Sequence, residues 1–217
     1  METILSLHNI SKSYGLKKVL DNINLNIKEG EYISITGESG AGKSTLLNII
    51  GGLDYAYEGE YYFQECLLVE KKLSQFRNKH IGFIFQQYNL LSSLSSKENV
   101  LLPYVYCKKD IDGIEQRCEE LFEKFSLKDQ KEQIVSTLSG GEKQRVALLR
   151  SIIMDPDIIL ADEPTGNLDN KNAMLVREFL KEMNMYGKTI IVVTHDIEFA
   201  NEAKRHMHIS GGGLYEI

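Results

Sequence analysis

The first thirty residues alternate between apolar and polar positions, as in ILSLHNI and NINLNIKEG. This period of two predicts two antiparallel strands joined by a turn near Gly15. The apolar stretch YISIT at 32–36 predicts a short strand that leads directly into a glycine-rich loop. The run KSTLLNIIGGL that follows predicts a helix, which ends at Gly51 and Gly52 because glycine stops helices readily.

Between about residues 90 and 155 the apolar positions recur with the period of a helix. Each of two predicted helices has one apolar face, formed by Ile114, Cys118, Leu121, Phe122 and Phe125 in the first and by Val146, Leu149 and Ile153 in the second. We therefore expect an inserted α-helical subdomain at about 88–155. It interrupts a core made of about 1–87 and 156–217, within one domain of residues 1–217.

Two continuous apolar runs after the helical block are typical of buried strands. They are IILADE at 158–163 and TIIVVTH at 189–195, and a helix is predicted between them at about 170–185. The segment HMHIS near the end predicts one more short strand. Apolar strands that alternate with helices favour a parallel sheet covered on both faces, so the expected fold class is α/β.

Composition limits the kind of protein that this chain can be. Its 217 residues, with 42% hydrophobic residues, suffice for one sizeable core. The formal net charge of -6 argues against nucleic acid as a partner, because nucleic-acid-binding domains are usually basic. The three cysteines have no metal-like spacing and predict a reduced, cytosolic chain. The first fifteen residues are too polar for a signal peptide, and no apolar run approaches the roughly 18 residues that span a bilayer.

The segment GESGAGKS at 37–44 fits the pattern G-x-x-x-x-G-K-[ST] of a phosphate-binding loop. Backbone N–H groups of such a loop converge on phosphate oxygens, and the helix that follows adds its positive end. Lys43 is expected to reach the β- and γ-phosphates, and the Ser44 hydroxyl to bind Mg²⁺. The predicted phosphate-binding residues are Gly37, Glu38, Ser39, Gly40, Ala41, Gly42, Lys43, Ser44 and Thr45. Together with the parallel sheet, they predict a phosphate-loop NTPase core with an N-terminal antiparallel β region.

Two acids end the predicted strand IILADE, and a histidine ends the predicted strand TIIVVTH. Ligands of open α/β sheets bind at the carboxyl ends of the strands. We expect Asp162 to hold Mg²⁺ and Glu163 to polarise the water that attacks the γ-phosphate. His195 is a candidate for a hydrogen bond to the γ-phosphate or to that water. Alone, the two acids would be an ordinary solvated pair and the histidine a polar cap, but the phosphate loop favours the catalytic interpretation.

The motifs GESGAGKS, LSGGEKQ, IILADEP, NLD and TH occur in this order, and together they resemble the ATP-binding subunit of an ABC transporter over essentially the whole chain. The resemblance implies ATP and Mg²⁺ as cofactors. It implies that Tyr14 stacks on adenine and that Gln86 contacts Mg²⁺ and the attacking water. Gln87 is an adjacent alternative to Gln86, although the spacing after the aromatic residue favours Gln86. It also implies that Asp169 lies along a dimer interface.

The stretch LSGGEKQ, residues 138–144 and here called the signature segment, resembles half of a phosphate site. Ser139, Gly140 and Gly141 begin a predicted helix whose free N–H groups and positive dipole end suit an anion. The pattern also fits a capping box with Ser139 as cap and Glu142 three residues later. The resemblance implies that the segment closes on the γ-phosphate held by a second copy, so that a homodimer encloses two ATP molecules.

The stretches ADEPTGNLD and LSGGEKQRVALLRSI are similar to one branch of the family. It includes ATPases of lipoprotein release, macrolide export, antimicrobial-peptide resistance and cell division. The resemblance implies an integral-membrane permease as partner and a peripheral position at the cytoplasmic face of the membrane. It also implies that residues 88–105 receive a short permease helix. Leu90, Leu91 and Leu94 are candidates for that groove, and the alternative is that they belong to the core.

The expected function is therefore that of an ATP-binding and ATP-hydrolysing subunit that powers a permease of the export or extraction type. An ATPase that drives a transmembrane signalling or cell-wall-regulating complex is the alternative, as is a soluble ABC-type ATPase. The 96 positions from Lys43 to Ser139 leave no room for the long coiled coils of DNA-repair relatives. Glu163 and His195 argue against a module that binds nucleotide without hydrolysing it.

Overall fold

The computed structural model describes residues 2–107 and 111–217, so residues 108–110 of the predicted helical subdomain lie outside the described part. The strands are β1 (Thr3–Tyr14), β2 (Lys17–Lys28), β3 (Tyr32–Gly37), β4 (Glu58–Phe63), β5 (Cys66–Leu67), β6 (Ile81–Phe85), β7 (Ile158–Asp162), β8 (Thr189–Val193), β9 (Arg205–Ser210) and β10 (Gly213–Glu216). The helices are α1 (Lys43–Ile50), α2 (Glu70–His80), α3 (Ser96–Val105), α4 (Ile114–Lys124), α5 (Gly140–Ile152), α6 (Asn170–Met185) and α7 (Ile197–Ala200), with short 3₁₀ turns at 128–130 and 135–137.

Six strands form the central sheet in the order β10-β9-β3-β8-β7-β6. All neighbouring pairs are parallel except β10 with β9. Strand β8 is buried at every position, which explains its unbroken apolar sequence. The predicted parallel sheet and the α/β fold class are confirmed. Since β3, β8, β7 and β6 run in the same direction, their carboxyl ends meet along one side of the sheet, here called the carboxyl edge.

The N-terminal hairpin of β1 and β2 is also confirmed, with Gly15 at its turn in the left-handed region at φ 59°. It belongs to a second, antiparallel sheet in the order β2-β1-β4-β5. Buried side chains of this sheet, such as Leu5 and Leu25, share one cluster with Leu46 and Ile50 of α1 and with the central sheet. Helix α1 is therefore fixed between the two sheets, and so is the loop that precedes it.

The opposite face of the central sheet packs against another cluster of side chains. Along β7, Ile158 and Leu160 point to the cluster around α1, whereas Ile159 and Ala161 join Val176 of α6 and residues of α5. This alternation follows from the period of two in a strand. The sheet is thus covered on both faces, with α1 on one side and α5 and α6 on the other.

The two helical faces read from the sequence meet in a third cluster. Ile114, Cys118 and Phe122 of α4 are buried there against Val146 and other residues of α5, and Leu121 and Phe125 pack at its margin. Helices α3 and α5 make extensive contact with each other. In the part of the chain that the structure describes, no helix combines the length and the apolar character needed to cross a membrane.

The sequence pattern did not predict β4, β5, α2, β6, α7 or β10. Helix α2 buries only Leu73 and Phe76, which lie one turn apart, so its eleven residues show no apolar stripe. The residues of β6 were not predicted to form a strand, although the two glutamines that follow them were candidate site residues. Strand β6 nevertheless pairs with β7 along its whole length and brings those glutamines to the carboxyl edge.

Candidate active site

The carboxyl edge gathers most of the predicted site residues. Strand β3 ends at Gly37 and continues into the phosphate loop, here residues 37–45. Strand β7 ends at Asp162, directly before Glu163, and β8 ends two residues before His195. Strand β6 ends at Phe85, directly before Gln86. The topology therefore places four predicted elements side by side, in the order 37–45, 195, 162–163 and 86.

The phosphate loop depends on glycine at its junction with α1. Gly42 precedes the helix with φ 107°, and a Cβ there would lie 2.9 Å from Leu20 Cδ2. Lys43 is nearly buried, and its ammonium group donates to the backbone oxygens of Gly37 at 2.8 Å and Glu38 at 3.0 Å. The lysine side chain thus folds back over its own loop, which puts a positive charge where the loop N–H groups converge.

Ser44 and Asp162 join the phosphate loop to β7. The Ser44 hydroxyl donates to Asp162 Oδ1 at 3.0 Å. Burial raises the pKa of the Asp162 carboxyl and the charge of Glu163 raises it further, while the hydrogen bond from Ser44 and the charge of Lys43 act in the opposite direction. A divalent cation here would relieve that unfavourable burial of negative charge.

These two oxygen ligands fit Mg²⁺, which prefers oxygen and keeps several ligands from water or phosphate. In residues 2–107 and 111–217, no group of three or more His, Cys, Asp or Glu side chains is placed to hold a metal by itself. The hydroxyl and carboxylate oxygens of Ser44 and Asp162 suit a cation that arrives with a phosphate ligand.

The raised pKa of Asp162 has a consequence for stability. A carboxyl whose pKa is higher in the folded chain than in the unfolded chain destabilises the fold once it is ionised. The free energy of unfolding therefore falls as pH rises through the range in which Asp162 titrates. We expect Asp162→Asn to raise the Tm of the nucleotide-free protein at neutral pH, by roughly 2–4 °C for each kcal/mol gained. The gain is expected to shrink as pH falls, because the native carboxyl then becomes protonated and no longer destabilises the fold.

Asp157→Asn is the matched control in this thermal unfolding experiment. The hydrogen bond from His80 lowers the pKa of Asp157, and it outweighs the effect of burial, so the same substitution should lower Tm there. An Asp162→Asn protein that melts at or below the wild-type temperature at neutral pH would refute the claim that the ionised Asp162 carboxylate destabilises the fold.

Glu163 and His195 form a hydrogen-bonded pair. Glu163 Oε2 accepts from the ring Nδ1 of His195 at 2.8 Å and from the His195 backbone N–H at 3.2 Å. Because a carboxylate only accepts, Nδ1 carries the proton. Glu163 has φ 45°, and its own N–H donates to the oxygen of Val193 at 2.8 Å. The residue is therefore held out of the strand geometry, with its carboxylate turned towards the end of β8.

Gln86 and Gln87 are both exposed at the carboxyl edge, so exposure alone does not choose between them. The side chain of Gln86 lies against Gly166, in the loop that follows Glu163. The contact is close enough that a Cβ added to Gly166 would lie 3.0 Å from Gln86 Nε2. Gly166 in turn donates its N–H to the oxygen of Glu163 at 3.1 Å. This contact links Gln86 to the segment that carries the two acids.

Arg150, which the sequence did not single out, fixes the residues after the glutamines. Tyr88 and Asn89 both have positive φ, at 57° and 48°. The Arg150 guanidinium donates to the backbone oxygen of each at 2.6 Å. Burial of the guanidinium lowers the pKa of Arg150 to about 10. Since Arg150 lies near the end of α5, it ties the glutamine segment to the helix that begins at the signature segment.

Tyr14 lies on the antiparallel sheet and not at the carboxyl edge. It pairs with Lys17 across the hairpin, and Lys17 and Lys18 line a cavity of about 250 Å³ together with residues 38–41 of the phosphate loop. The Tyr14 ring is 54% exposed, and its hydroxyl donates to Asp54 Oδ2 at 3.1 Å. The hairpin that carries Tyr14 thus lies beside the phosphate loop.

The signature segment begins α5 with the expected capping box. The Ser139 hydroxyl accepts from the Glu142 N–H at 3.4 Å, and Glu142 Oε2 accepts from the Ser139 N–H at 2.8 Å. Ser139 and Gly140 are exposed. Among the hydrogen bonds and ion pairs found in the described residues, none joins Ser139, Gly140 or Gly141 to the phosphate loop. Within the described part of one chain, the signature segment and the phosphate loop therefore share no hydrogen bond.

Asp169 contacts the signature segment indirectly. It caps α6 by accepting from the Asn172 backbone N–H at 2.8 Å, and it also accepts from the Asn172 side chain at 2.9 Å. The amide of Asn172 is so close to Gly141 that a Cβ there would lie 2.7 Å from its Oδ1. A side chain at 141 would therefore have to displace the Asn172 amide, and the starts of α5 and α6 lie next to each other.

The three leucines considered for a partner groove differ in their surroundings. Leu90 packs against the helical cluster, as the core interpretation expects. Leu94 is half-buried, whereas Leu91 is 49% exposed. Of the three, Leu91 has the most surface left for a partner.

Comparison with known proteins gives a consistent result. The family model described as ABC transporter matches residues 20–166. The macrolide export ATP-binding/permease protein MacB of Campylobacter jejuni is 44% identical over 214 residues, which are 97% of this chain but 33% of that protein. The chain thus spans about a third of the length of such relatives. The ABC transporter ATP-binding protein YvrO of Bacillus subtilis is also 44% identical, over 97% of this chain and 95% of YvrO.

Solved structures agree with the sequence relatives. A dimeric, post-hydrolysis structure of the ATP-binding cassette MJ0796 with ADP and Pi superposes with a TM-score of 0.88 and 40% identity. The match covers 99% of this chain and 98% of the other. The relative is a protein of Methanocaldococcus jannaschii. Its similarity confirms the fold class over the whole length of the chain.

Proposed function

The chain belongs to the ABC transporter family, and we propose that it is the ATP-binding and ATP-hydrolysing subunit that powers a membrane permease. The observation that carries this proposal is the convergence at the carboxyl edge. There a phosphate loop, the Ser44–Asp162 pair and the Glu163–His195 pair lie at the ends of three adjacent strands. Open α/β sheets bind their ligands at such an edge.

The phosphate loop binds the nucleotide. Its backbone N–H groups, from Gly37 to Thr45, and the start of α1 surround the phosphates, and Lys43 neutralises the β- and γ-phosphate charge. Ser44 and Asp162 would hold Mg²⁺, and Gln86, directly after β6, would be a further ligand. When bound, Mg²⁺ neutralises the charge that develops on the β- and γ-phosphate oxygens.

Hydrolysis falls to Glu163 and His195. The Glu163 carboxylate accepts a proton from the water as the water oxygen bonds to the γ-phosphorus and the bond from that phosphorus to the bridging oxygen of ADP breaks. The ring Nδ1–H and the backbone N–H of His195 both donate to Glu163, which holds the carboxylate in one orientation. The His195 side chain is 70% exposed, so the edge of its ring that does not contact Glu163 is accessible to the γ-phosphate of a bound nucleotide.

Two copies are needed to complete each site. In the described residues, Ser139, Gly140 and Gly141 have no hydrogen bond to their own phosphate loop, and they begin a helix whose start is suited to an anion. A twofold pairing places this helix start on the γ-phosphate held by the other copy, with Asp169 beside it. The dimeric structure of a relative at 40% identity supports this arrangement.

The partner that receives the work is a permease of the export or extraction type. Support comes from relatives whose name joins an ATP-binding and a permease part in one chain, of which this chain matches about a third. We place the subunit at the cytoplasmic face of the membrane, held there by that permease. The segment 88–105, with Leu91 exposed in it, is the proposed contact region.

The test of nucleotide binding is Lys43→Met. Loss of a charge-assisted hydrogen bond to phosphate is expected to weaken ATP binding by about 10- to 150-fold, and hydrolysis falls with it. Titration calorimetry with Mg-ATP and a phosphate-release assay measure the two effects. Lys97→Met, which breaks an ion pair with Glu115 in the helical region, is the control and should leave both unchanged. Unaltered ATP affinity in Lys43→Met would contradict the proposed site.

A further inference from the structure

Lys12 is a nearly buried lysine beside Tyr14. The two residues lie on β1 two positions apart, and the side chains of both contact Asp54. Lys12 is only 5% exposed, and its ammonium donates to Asp54 Oδ1 at 2.7 Å and to the Ala56 oxygen at 2.6 Å. The same nitrogen lies over the Tyr14 ring, 4.9 Å from the ring centroid.

Asp54 completes the arrangement from the other end of the ring. Its Oδ2 accepts from the Tyr14 hydroxyl at 3.1 Å, while Oδ1 accepts from Lys12 and from the Ala56 N–H at 3.0 Å. Burial acts to raise the pKa of Asp54, but hydrogen bonds from Lys12 and Ala56 and the charge of Lys12 lower it overall. The Asp54 carboxyl is therefore ionised at neutral pH, and together Lys12 and Asp54 hold Tyr14 both at one face and at the hydroxyl.

The aromatic ring still has much exposed surface although it is anchored at two places. Just over half of Tyr14 remains exposed. The hairpin that carries it lines the cavity beside the phosphate loop. An anchored, half-exposed ring next to a phosphate site is suited to stack on the base of a nucleotide whose phosphates lie in that loop.

We propose that the Lys12–Asp54 pair is the positioning element for base recognition, which holds Tyr14 so that its exposed surface stacks on the adenine of ATP. This inference rests on the proposed function, because it takes ATP as the ligand of the phosphate loop. The ammonium attracts the negative face of the ring and so favours one orientation of its plane. A ring fixed before binding loses less conformational freedom when adenine stacks on it.

The pair acts on the base and not on the phosphates. Lys12 is neutralised by Asp54 at 2.7 Å and is almost inaccessible, so it offers little charge to a triphosphate. Removal of Lys12 is therefore expected to weaken the binding of ATP but not that of inorganic tripolyphosphate, which has no base. A general loss of folding or of the phosphate site would weaken both ligands.

The experiment compares Lys12→Met with wild type by titration calorimetry, using Mg-ATP and Mg-tripolyphosphate as ligands. We expect ATP affinity to fall by about 3- to 30-fold, the range of a desolvated cation–π contact, and tripolyphosphate affinity to stay unchanged. Lys12→Arg, which keeps a cation over the ring, should recover most of the ATP affinity. Tyr14→Ala gives the reference for complete loss of base stacking.

Lys124→Met is the matched control. Lys124 also pairs with a glutamate, Glu182, and lies over a tyrosine ring, Tyr186 at 5.5 Å, but it belongs to α4. It should bind both ligands as wild type does. If Lys12→Met does not fold, Tyr14→Phe takes its place, because it breaks the hydroxyl contact with Asp54 at an exposed residue and should lower ATP affinity alone.

The outcomes separate this inference from the proposed function. Equal ATP affinity in wild type and Lys12→Met, or an equal loss for ATP and tripolyphosphate, would overturn the role of the pair while leaving the ATPase proposal intact. Should the tyrosine substitutions leave ATP binding unchanged, the stacking itself would be refuted. Wild-type protein that binds neither ligand would overturn the proposed function and the inference together.

Discussion

Replacement of Glu163 by glutamine is expected to lower the kcat of ATP hydrolysis by at least about 100-fold, the usual contribution of a general base. Glutamine has nearly the shape of glutamate, and its amide oxygen still accepts from His195, whose ring and backbone N–H both donate to position 163. What is lost is the group that takes the proton from the attacking water. ATP binding depends on the phosphate loop and should persist.

Phosphate release measures the first effect and calorimetric titration with Mg-ATP measures the second. Glu178→Gln removes a glutamate from the exposed side of α6 and is the control, with wild-type turnover expected. Near-normal hydrolysis by Glu163→Gln would assign the proton acceptor to another group, and the Glu163–His195 pair would then be only a structural contact at the ends of β7 and β8.

The second large effect is expected for Ser139→Arg, because it fills the helix start that must receive the partner's γ-phosphate. A long, bulky side chain in the signature segment blocks closure of the dimer, while the phosphate loop, which makes no hydrogen bond to Ser139, binds ATP as before. Turnover should fall by about 100- to 1,000-fold, as when a preorganised anion-stabilising donor is lost.

Ser139→Ala separates bulk from capping. It also removes the capping-box hydroxyl, at a cost of about 1 kcal/mol in the free energy of unfolding, but it leaves the helix N–H groups accessible. Dimer formation should therefore survive in Ser139→Ala and be absent in Ser139→Arg, as measured by light scattering with Mg-ATP. Equal behaviour of the two variants would mean that the segment caps α5 and does nothing further.

The fold was predictable wherever the local pattern was strong. The hairpin of β1 and β2 alternates cleanly, and β7 and β8 are unbroken apolar runs, so each was recognised from its own residues. Helix α2 was missed because its surface is mostly charged and two side chains suffice to dock it. Strand β4 was missed because only Tyr61 and Phe63 of its six residues are buried.

Candidate site residues could be proposed from the sequence where they are contiguous. The phosphate loop and the pair Asp162–Glu163 each lie within one short segment, and their motifs specify the chemistry. Lys12, Asp54 and Arg150 were missed because their partners are distant in sequence. Arg150, for example, contacts Tyr88 and Asn89, which lie about sixty positions earlier in the sequence. No local sequence pattern around an arginine on a helix predicts a contact of this kind.

The structure also joins the two halves of the proposed composite site. Arg150, near the end of α5, holds the segment that follows Gln86, and Gly141, at its start, packs on Asn172. Asn172 in turn is bound by Asp169. A displacement of α5 would therefore move both the segment that follows Gln86 and the exposed surface at the start of α5 that is proposed to face the partner. This continuity gives a physical route by which γ-phosphate binding and dimer closure act together.

The most direct test of the account is the mass of Glu163→Gln protein in solution, measured with and without Mg-ATP. The account predicts monomers without nucleotide and stable dimers with it, because ATP binds but is not hydrolysed and each γ-phosphate is shared with the partner's signature segment. The double variant with Ser139→Arg should remain monomeric under both conditions. Glu163→Gln protein that binds ATP and yet stays monomeric would contradict the claim that two chains complete each other's sites.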